Sequence, residues 1–523
     1  MKLRVQTISA FHFTAAMLAV VWMWPHSSLA QSLTSSAIDD NVKLIEQAPN
    51  NSPLEGGRGG VARHHEEMKS SSEDIAGSHD NFEMITGRKY TPLTPLEGGI
   101  PRADSLSSTF ASLSPQALLI ERIEIQGATK TRHSVIHRYL SMKIGSAITP
   151  EIISHDYDAL AATNFFKRVD FSSKPGSAPG KVVVVIEVVE RYWPWLEVAG
   201  GFSELEGWYL IPIGVRFDNF FGGGDLGGAR FLIADRTSGF YLHYRHPQIF
   251  KSNFDFQMEL GGTDQQFIHY VDNREALHKV KNGEASLALL GTRGVARHFS
   301  GGFKFNTWRP EAQAMFTDND SSFRLLQNPL AAQLQETKIN SFFLRLEKDT
   351  RNDRLFPQRG VWGALAFEVA DSALGSEVNF TSLVFDGRFY APIGKNTLAL
   401  HAKAARVSEA APFYERFYLG GAYSLRGFAE RSLTPLGWGT ELLLAQAEMR
   451  FPVAGNVPRP SMSATLFFDI GSLKIPKGSH DFTSAAGFGF RLKVPIVGLL
   501  RCDFAYPLDR DDFRFHLALG QTF

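Results

Sequence analysis

From Trp193 to Phe523 apolar and polar residues alternate with a period of two. Tyr209, Ile211, Ile213, Val215 and Phe217 alternate with Leu210, Pro212, Gly214, Arg216 and Asp218; Leu365, Phe367 and Val369 with Ala364, Ala366 and Glu368; Phe488, Phe490, Leu492 and Val494 with Gly487, Gly489, Arg491 and Lys493. Such rows predict strands with one apolar face and one face of glycine and charge. A soluble β-sandwich also alternates, but with shorter strands and its polar face outward. Here the strands run about ten residues, which at ~3.3 Å per residue and a ~40° tilt covers a bilayer core of about 25 Å. The last strand fits best. Phe513, Phe515, Leu517, Leu519 and Phe523 share one parity, broken by Gln521, while Asp512, Arg514, His516, Ala518, Gly520 and Thr522 share the other. Trp193, Trp195 and Trp208 fall near strand ends, where interfacial aromatics belong. The pattern predicts an all-β transmembrane barrel over 192–523, closed so that no unpaired edge meets lipid.

Ahead of it, 117–191 changes period. Leu119, Ile120, Ile123 and Ile125 make a short strand ended by Gly127. Val135-Ile136 and Tyr139-Leu140 recur at helical spacing, with Gly145 as the stop. Thr149-Pro150-Glu151 opens a second helix, with Thr149 as cap and Pro150 in the first turn. Strands follow at Phe165–Phe171 and Lys181–Val189, giving a small β-α-α-β-β domain of α+β class. Residues 31–116 show no such period. They are rich in Ser, Gly, Asn and short charged runs, with Ser52-Pro53-Leu54-Glu55-Gly56-Gly57 echoed by Thr94-Pro95-Leu96-Glu97-Gly98-Gly99. This composition buries too little apolar surface to offset chain entropy, so it reads as a disordered periplasmic linker or tail.

Targeting and charge narrow the picture. Lys2 and Arg4, the apolar run Ser9–Trp24 and the small residues of Ser28-Leu29-Ala30 read as a signal peptide over 1–30. No later segment is apolar enough to span as a helix, which leaves a barrel open. Lys and Arg total 54, as do Asp and Glu, so no global field points to nucleic acid. Cys502 is the one cysteine, which excludes an internal disulfide or a thiolate metal cluster.

Motifs of catalysis are missing. Gly222–Gly227 matches G-x-G-x-x-G, but a strand-like run follows, Ala229-Arg230-Phe231-Leu232-Ile233-Ala234, where dinucleotide binding needs a helix. The glycines therefore read as a turn between strands. Gly394-Lys395-Asn396 lacks the Ser or Thr of a phosphate loop, and His64-His65-Glu66-Glu67 lacks the second histidine of a zinc-protease helix. No nucleophile elbow occurs. The chain reads as a non-enzyme without cofactor or metal.

The informative constellation is Gly420–Phe428, in a large loop between two strands. Glu448 and Asp469 stand on rows of polar parity in the strands that follow. An arginine on a loop folded into the lumen, Arg426, would meet both carboxylates with its forked donors.

With these residues the chain resembles the BamA/TamA-like outer-membrane assembly superfamily, also called the bacterial surface antigen family. Ser424-Leu425-Arg426-Gly427-Phe428 is similar to its loop signature, and Phe467-Phe468-Asp469-Ile470-Gly471 and Glu448 to its acidic partners. Asp349–Asp353 with Phe356–Gly360, Asn219-Phe220-Phe221-Gly222 and Asp503–Leu508 add matches in order. The 117–191 module resembles a POTRA domain through Gly127, Asn164-Phe165-Phe166 and Glu187–Glu190. One such module is evident, where the main assembly factors carry several. The resemblance implies about 16 antiparallel strands and a loop lock of Arg426, Gly427, Phe428, Glu448 and Asp469. It also implies Phe523 as a C-terminal assembly signal. The implied function is insertion, assembly or translocation of polypeptides at the outer membrane. The implied partners are outer-membrane lipid, unfolded or secreted clients taken by strand addition to the periplasmic module, and periplasmic chaperones or lipoproteins. A passive pore or structural barrel, and a secretion pore for one dedicated partner, are the alternatives. In the family's insertases the first and last strands meet at a weak seam. Gly200-Gly201 either makes the first strand the weak side or only relieves crowding in the barrel, and the parity up to Leu519 marks the last as well paired, so the weak side is expected at the first strand.

Overall fold

The computed structural model describes residues 118–318, 322–324, 330–354, 356–457, 459–494 and 498–523. The signal peptide, the linker to 116 and the His64–Glu67 cluster lie outside these residues. The first module has β1 (Leu119–Gln126), α1 (His133–Arg138), α2 (Pro150–Ala161), β2 (Phe166–Pro175) and β3 (Lys181–Glu190). Its sheet order is β1-β3-β2, with β1 parallel and β2 antiparallel to β3. β3 is central and nearly continuously apolar, so Val184, Ile186 and Val188 are buried with Ile120, Val135, Ile136, Leu160 and Phe171. Thr149 caps α2 by accepting from Ile152 N at 3.4 Å, and Pro150 follows where no N–H is needed. Gly145 does not stop the first helix. α1 ends at Arg138, because Ser141 and Met142 give their N–H groups to the buried carboxylate of Asp156 (2.7 and 3.0 Å). Gly145 instead donates to Ile120 O beside β1, at 2.7 Å.

The barrel wall comprises β4 (Trp195–Ser203), β5 (Gly207–Asp218), β6 (Leu226–Ala234), β7 (Thr237–His246), β8 (Phe254–Val271), β9 (Arg274–Gly291), β10 (Phe299–Phe316), β11 (Ser322–Arg324), β12 (Thr337–Asp349), β13 (Gly360–Ala370), β14 (Phe380–Ile393), β15 (Asn396–Val407), β16 (Glu441–Ala454), β17 (Met462–Lys474), β18 (Phe482–Val494), β19 (Gly498–Pro507) and β20 (Arg514–Leu519). These 17 strands form one closed sheet. β11 is three residues long and pairs with the far end of β10, while β10 also pairs directly with β12 along ten positions. Without β11 the wall has the sixteen strands expected. Exposure is inside out: Leu196, Val198, Phe231, Leu260, Phe385 and Phe468 are exposed, while Glu197, Arg230, Glu259, Glu368, Glu448 and Arg491 are buried. That inversion is what lipid outside and a polar lumen inside require. Trp193 and Trp208, 76% and 70% exposed, stand at opposite ends of the first hairpin.

Two rows depart from the expected parity. In β5 a register shift falls between Leu210 and Ile213, so Leu210 is exposed and Tyr209 packs inward on Leu232 and Tyr241. Pro212 lies in that interval and has no N–H for the ladder. At the other end, Phe513 and Phe515 face outward but Phe523 does not. Gly520 takes φ +91°, a left-handed turn open to glycine, and sends the chain into the lumen. Phe523 is buried there, stacked on His401 at 5.0 Å. The seam is therefore not as expected. β20 pairs with β19 over six positions, Arg514–Leu519, whereas β19 pairs with β18 over ten. β4 pairs with β5 over eight, with a shift at Val198/Gly200. The shorter ladder belongs to the last strand, and Leu519 packs where a Cβ on Gly201 would stand.

The two units meet at the β5–β6 turn. Arg132 N donates to Gly222 O at 2.9 Å and Asn219 Nδ2 to Thr131 Oγ1 at 2.7 Å. Gly222–Asp225 thus lies in the turn that carries the α+β module, and Gly227 already belongs to β6.

Candidate functional site: the loop lock in the lumen

The β15–β16 connection, 408–440, leaves the end of the barrel opposite the α+β module and folds back inside it. Arg416 pins its two legs together, donating to Glu409 O, Ala411 O and Gly437 O at 2.7, 2.7 and 3.0 Å. Phe413, Phe417, Leu419, Leu425, Phe428 and Trp438 of the loop then form one buried apolar cluster with Phe267, Trp308, Ile339, Val384, Leu442 and Leu444 of the wall. At roughly 1.5–3 kcal/mol for each large apolar side chain buried, this cluster makes the docked loop the favoured state.

The loop tip places Arg426 among the carboxylates. Its Nε and Nη2 donate to Asp469 Oδ2 and Oδ1, both at 2.7 Å, a bidentate pair. Nη1 donates to Glu448 Oε1 at 2.6 Å, and the guanidinium lies 3.6 Å from the Phe467 ring centroid. All three charged residues are 0% exposed. Gly427, at φ +90°, turns the chain directly after, and a Cβ there would press on Ala485 and Pro507. Phe428 lies beneath the guanidinium of Arg510, at 4.8 Å. The geometry thus joins Arg426, Gly427, Phe428, Glu448 and Asp469 in one site. Phe523 is at its rim, with Arg450 5.4 Å above its ring.

The site is larger than those residues. Arg450 donates to Glu448 Oε2 at 2.8 Å, and Arg491 bridges Asp503 (2.6 Å) and Glu448 (3.3 Å). Arg501 holds Ala422 O at 2.8 Å and Thr522 Oγ1. Gln446 donates to Ser424 O at 2.7 Å, and His516 accepts from Gly427 N at 2.9 Å. Four arginines thus surround three carboxylates. Arg491 and His516 lie on rows whose parity marked their direction; with Asp503 they converge on the lock because β17, β18, β19 and β20 follow β16 as successive neighbours in the wall. What the arrangement can do is hold a loop inside a lumen by charge that is shielded from solvent and salt.

Residues 219–523 match the Omp85 superfamily domain, and 118–191 match the surface antigen variable number repeat of POTRA type. Outer membrane protein assembly factor BamA of Neisseria meningitidis serogroup B is 22% identical over 86% of this chain and 62% of its own length. The protein of the same name from Nitratidesulfovibrio vulgaris is 21% identical over 79% of this chain and 52% of its own. The chain thus spans less than two thirds of these relatives. The crystal structure of BamA from Haemophilus ducreyi lacking POTRA domains 1–3 superposes with a TM-score of 0.64 at 18% identity, covering 77% of this chain and 84% of that one.

Proposed function

This chain belongs to the Omp85 superfamily as an outer-membrane barrel with a periplasmic POTRA domain, and on that premise we propose that it inserts or translocates polypeptides at the outer membrane. The observation that carries the proposal is the closing pair of the barrel. β20 pairs with β19 over six residues and then turns inward at Gly520, so toward β4 it presents a short edge, and part of β4 stands opposite a strand that has already left the wall. A closing contact that short is where a barrel parts at least cost, and a client strand can pair with the β4 edge left open there. The POTRA sheet supplies a second edge. β1 is engaged at its start, where Leu119 bridges Ala147, so β2 is the side on which an extended client adds. Phe523, with the strand before it, serves as the signal by which this chain is itself assembled.

The apolar packing of loop 408–440 favours this reading over a passive pore. A constitutive aqueous channel needs a continuous polar lining, and the outer half of this lumen holds a buried apolar cluster instead. The reading is tested by depleting the protein and quantifying the outer-membrane proteome. A fall in several other barrels is expected. Unchanged levels of every barrel would overturn the proposal, and loss of one secreted protein alone would replace it with a dedicated secretion pore.

A further inference from the structure

His516 is fully buried on the inward face of β20 and is bonded at both ring nitrogens. Nε2 lies 2.9 Å from the backbone N of Gly427, in the loop signature. Nδ1 lies 2.9 Å from Glu204 Oε1, in the turn that joins β4 to β5. The two partners dictate the ring's state. A backbone N–H can only donate, so Nε2 must offer a lone pair; an ionised carboxylate can only accept, so Nδ1 must carry the proton. One species satisfies both, the neutral ring protonated at Nδ1. Asp503, opposite His516 in the β19–β20 register, is already engaged by Arg491 at 2.6 Å. Arg514, two residues before His516, shares its phase on β20, opposite to Phe513 and Phe515.

These contacts join three separate units: the docked loop, the last strand and the first hairpin. β20 and β4 are the strands that close the barrel, so the bond from His516 to Glu204 crosses the seam. Two further bonds tie the same loop tip to the end of β20. Tyr423 Oη donates to Leu519 O at 2.7 Å, and Arg426 Nη1 reaches Thr522 Oγ1 at 3.4 Å.

We propose that His516 is a positioning residue that couples docking of the loop to closure of the seam. With the loop in place, Gly427 fixes the tautomer that holds Glu204. When the loop withdraws, Nε2 loses its donor, the ring is free to turn, and the first hairpin is released from β20. The chemistry calls for a side chain that accepts at one end and donates at the other. A carboxamide meets that requirement; an alkyl group or an ammonium does not. The inference rests on the reading of β4/β20 as a seam, but its test is independent of client transport.

The test is a distance measurement on the full chain in lipid bilayers. Spin labels replace Val198 and Phe515, outward-facing on β4 and β20, in a Cys502→Ser background. His516→Leu and His516→Lys should add a longer-distance population, raising the open-to-closed ratio about 10- to 100-fold. His516→Gln should keep the short distance. Glu204→Ala, in a turn outside the strands, should reproduce the Leu result even if β20 tolerates no apolar residue at 516. Identical distributions in wild type, His516→Leu and Glu204→Ala would overturn the coupling. If the seam widens but depletion leaves every other barrel unchanged, the coupling stands and the client reading falls.

Discussion

Replacing Arg426 with alanine should undo the loop lock unevenly. Asp469 is fully buried, and its hydrogen bonds among the described residues come from Arg426: the backbone N at 3.2 Å, and Nε and Nη2 at 2.7 Å each. The variant keeps the first and loses the two charged ones. Glu448 loses one bond at 2.6 Å but retains Arg450 at 2.8 Å and Arg491 at 3.3 Å. Stranding one member of a buried ion pair costs about 3–5 kcal/mol. The cost falls chiefly on Asp469, so neutralising that residue should recover part of it. Arg426→Ala/Asp469→Asn is expected to regain about 1–3 kcal/mol, and Arg426→Ala/Glu448→Gln less than about 1 kcal/mol, because the glutamine removes the charge that pairs with Arg450 and Arg491 and turns an NH2 donor toward one of them. Heat-modifiable electrophoretic mobility reads barrel stability, and protease sensitivity within 408–440 reads loop docking. A single mutant within about 0.5 kcal/mol of wild type, or equal recovery by both double mutants, would refute the reasoning.

Other perturbations act elsewhere. The Glu190 carboxyl is held down at about 2: burial opposes this, but hydrogen bonds from Thr129, Thr131 and Lys130 prevail. Its folded value is below the ordinary 4.5, so its contribution is complete above pH 4.5 and disappears as pH falls toward 2. Glu190→Gln should weaken the POTRA domain at neutral pH and flatten its unfolding profile across that window; a profile parallel to wild type would contradict the assignment. Gly520→Val should meet roughly 1–2 kcal/mol of backbone strain at φ +91° and free the following residues from the lumen. Faster thiol labelling of Gln521→Cys, in a Cys502→Ser background, is the expected sign, and unchanged labelling the contrary one. Deleting Phe523 removes the stack on His401 as well as the proposed signal, and should lower the surface-exposed fraction; normal exposure would count against the signal.

The barrel was legible because a wall one strand thick leaves each residue facing either lipid or lumen. β13 and β17 follow their rows throughout, β16 does so up to Pro452, and Glu448 and Asp469 are where parity placed them. The reading failed where local backbone geometry overrides alternation. Pro212 interrupts the β5 ladder and exchanges the faces of Tyr209 and Leu210; Gly520 reverses the last residues after a strand of unbroken phase. Gly145 misled for a similar reason, since Asp156 had already captured the chain after Arg138. The lock was legible in its arginine and two acids. Arg491, Arg501 and Asp503 were not joined to it, because their contacts form across strands that alternation alone does not bring together. His516 was visible as an inward residue, but nothing in its own strand names Glu204, 312 residues away.

The central claim is that the seam between β4 and β20 is where a polypeptide enters the membrane. Its direct test is the folding rate of an unfolded outer-membrane barrel into proteoliposomes containing this protein, with the seam free or closed by a reducible cross-link between β4 and β20. The account predicts faster insertion than into empty liposomes, loss of that acceleration on cross-linking, and its return on reduction. Equal rates with the seam locked and free would contradict it.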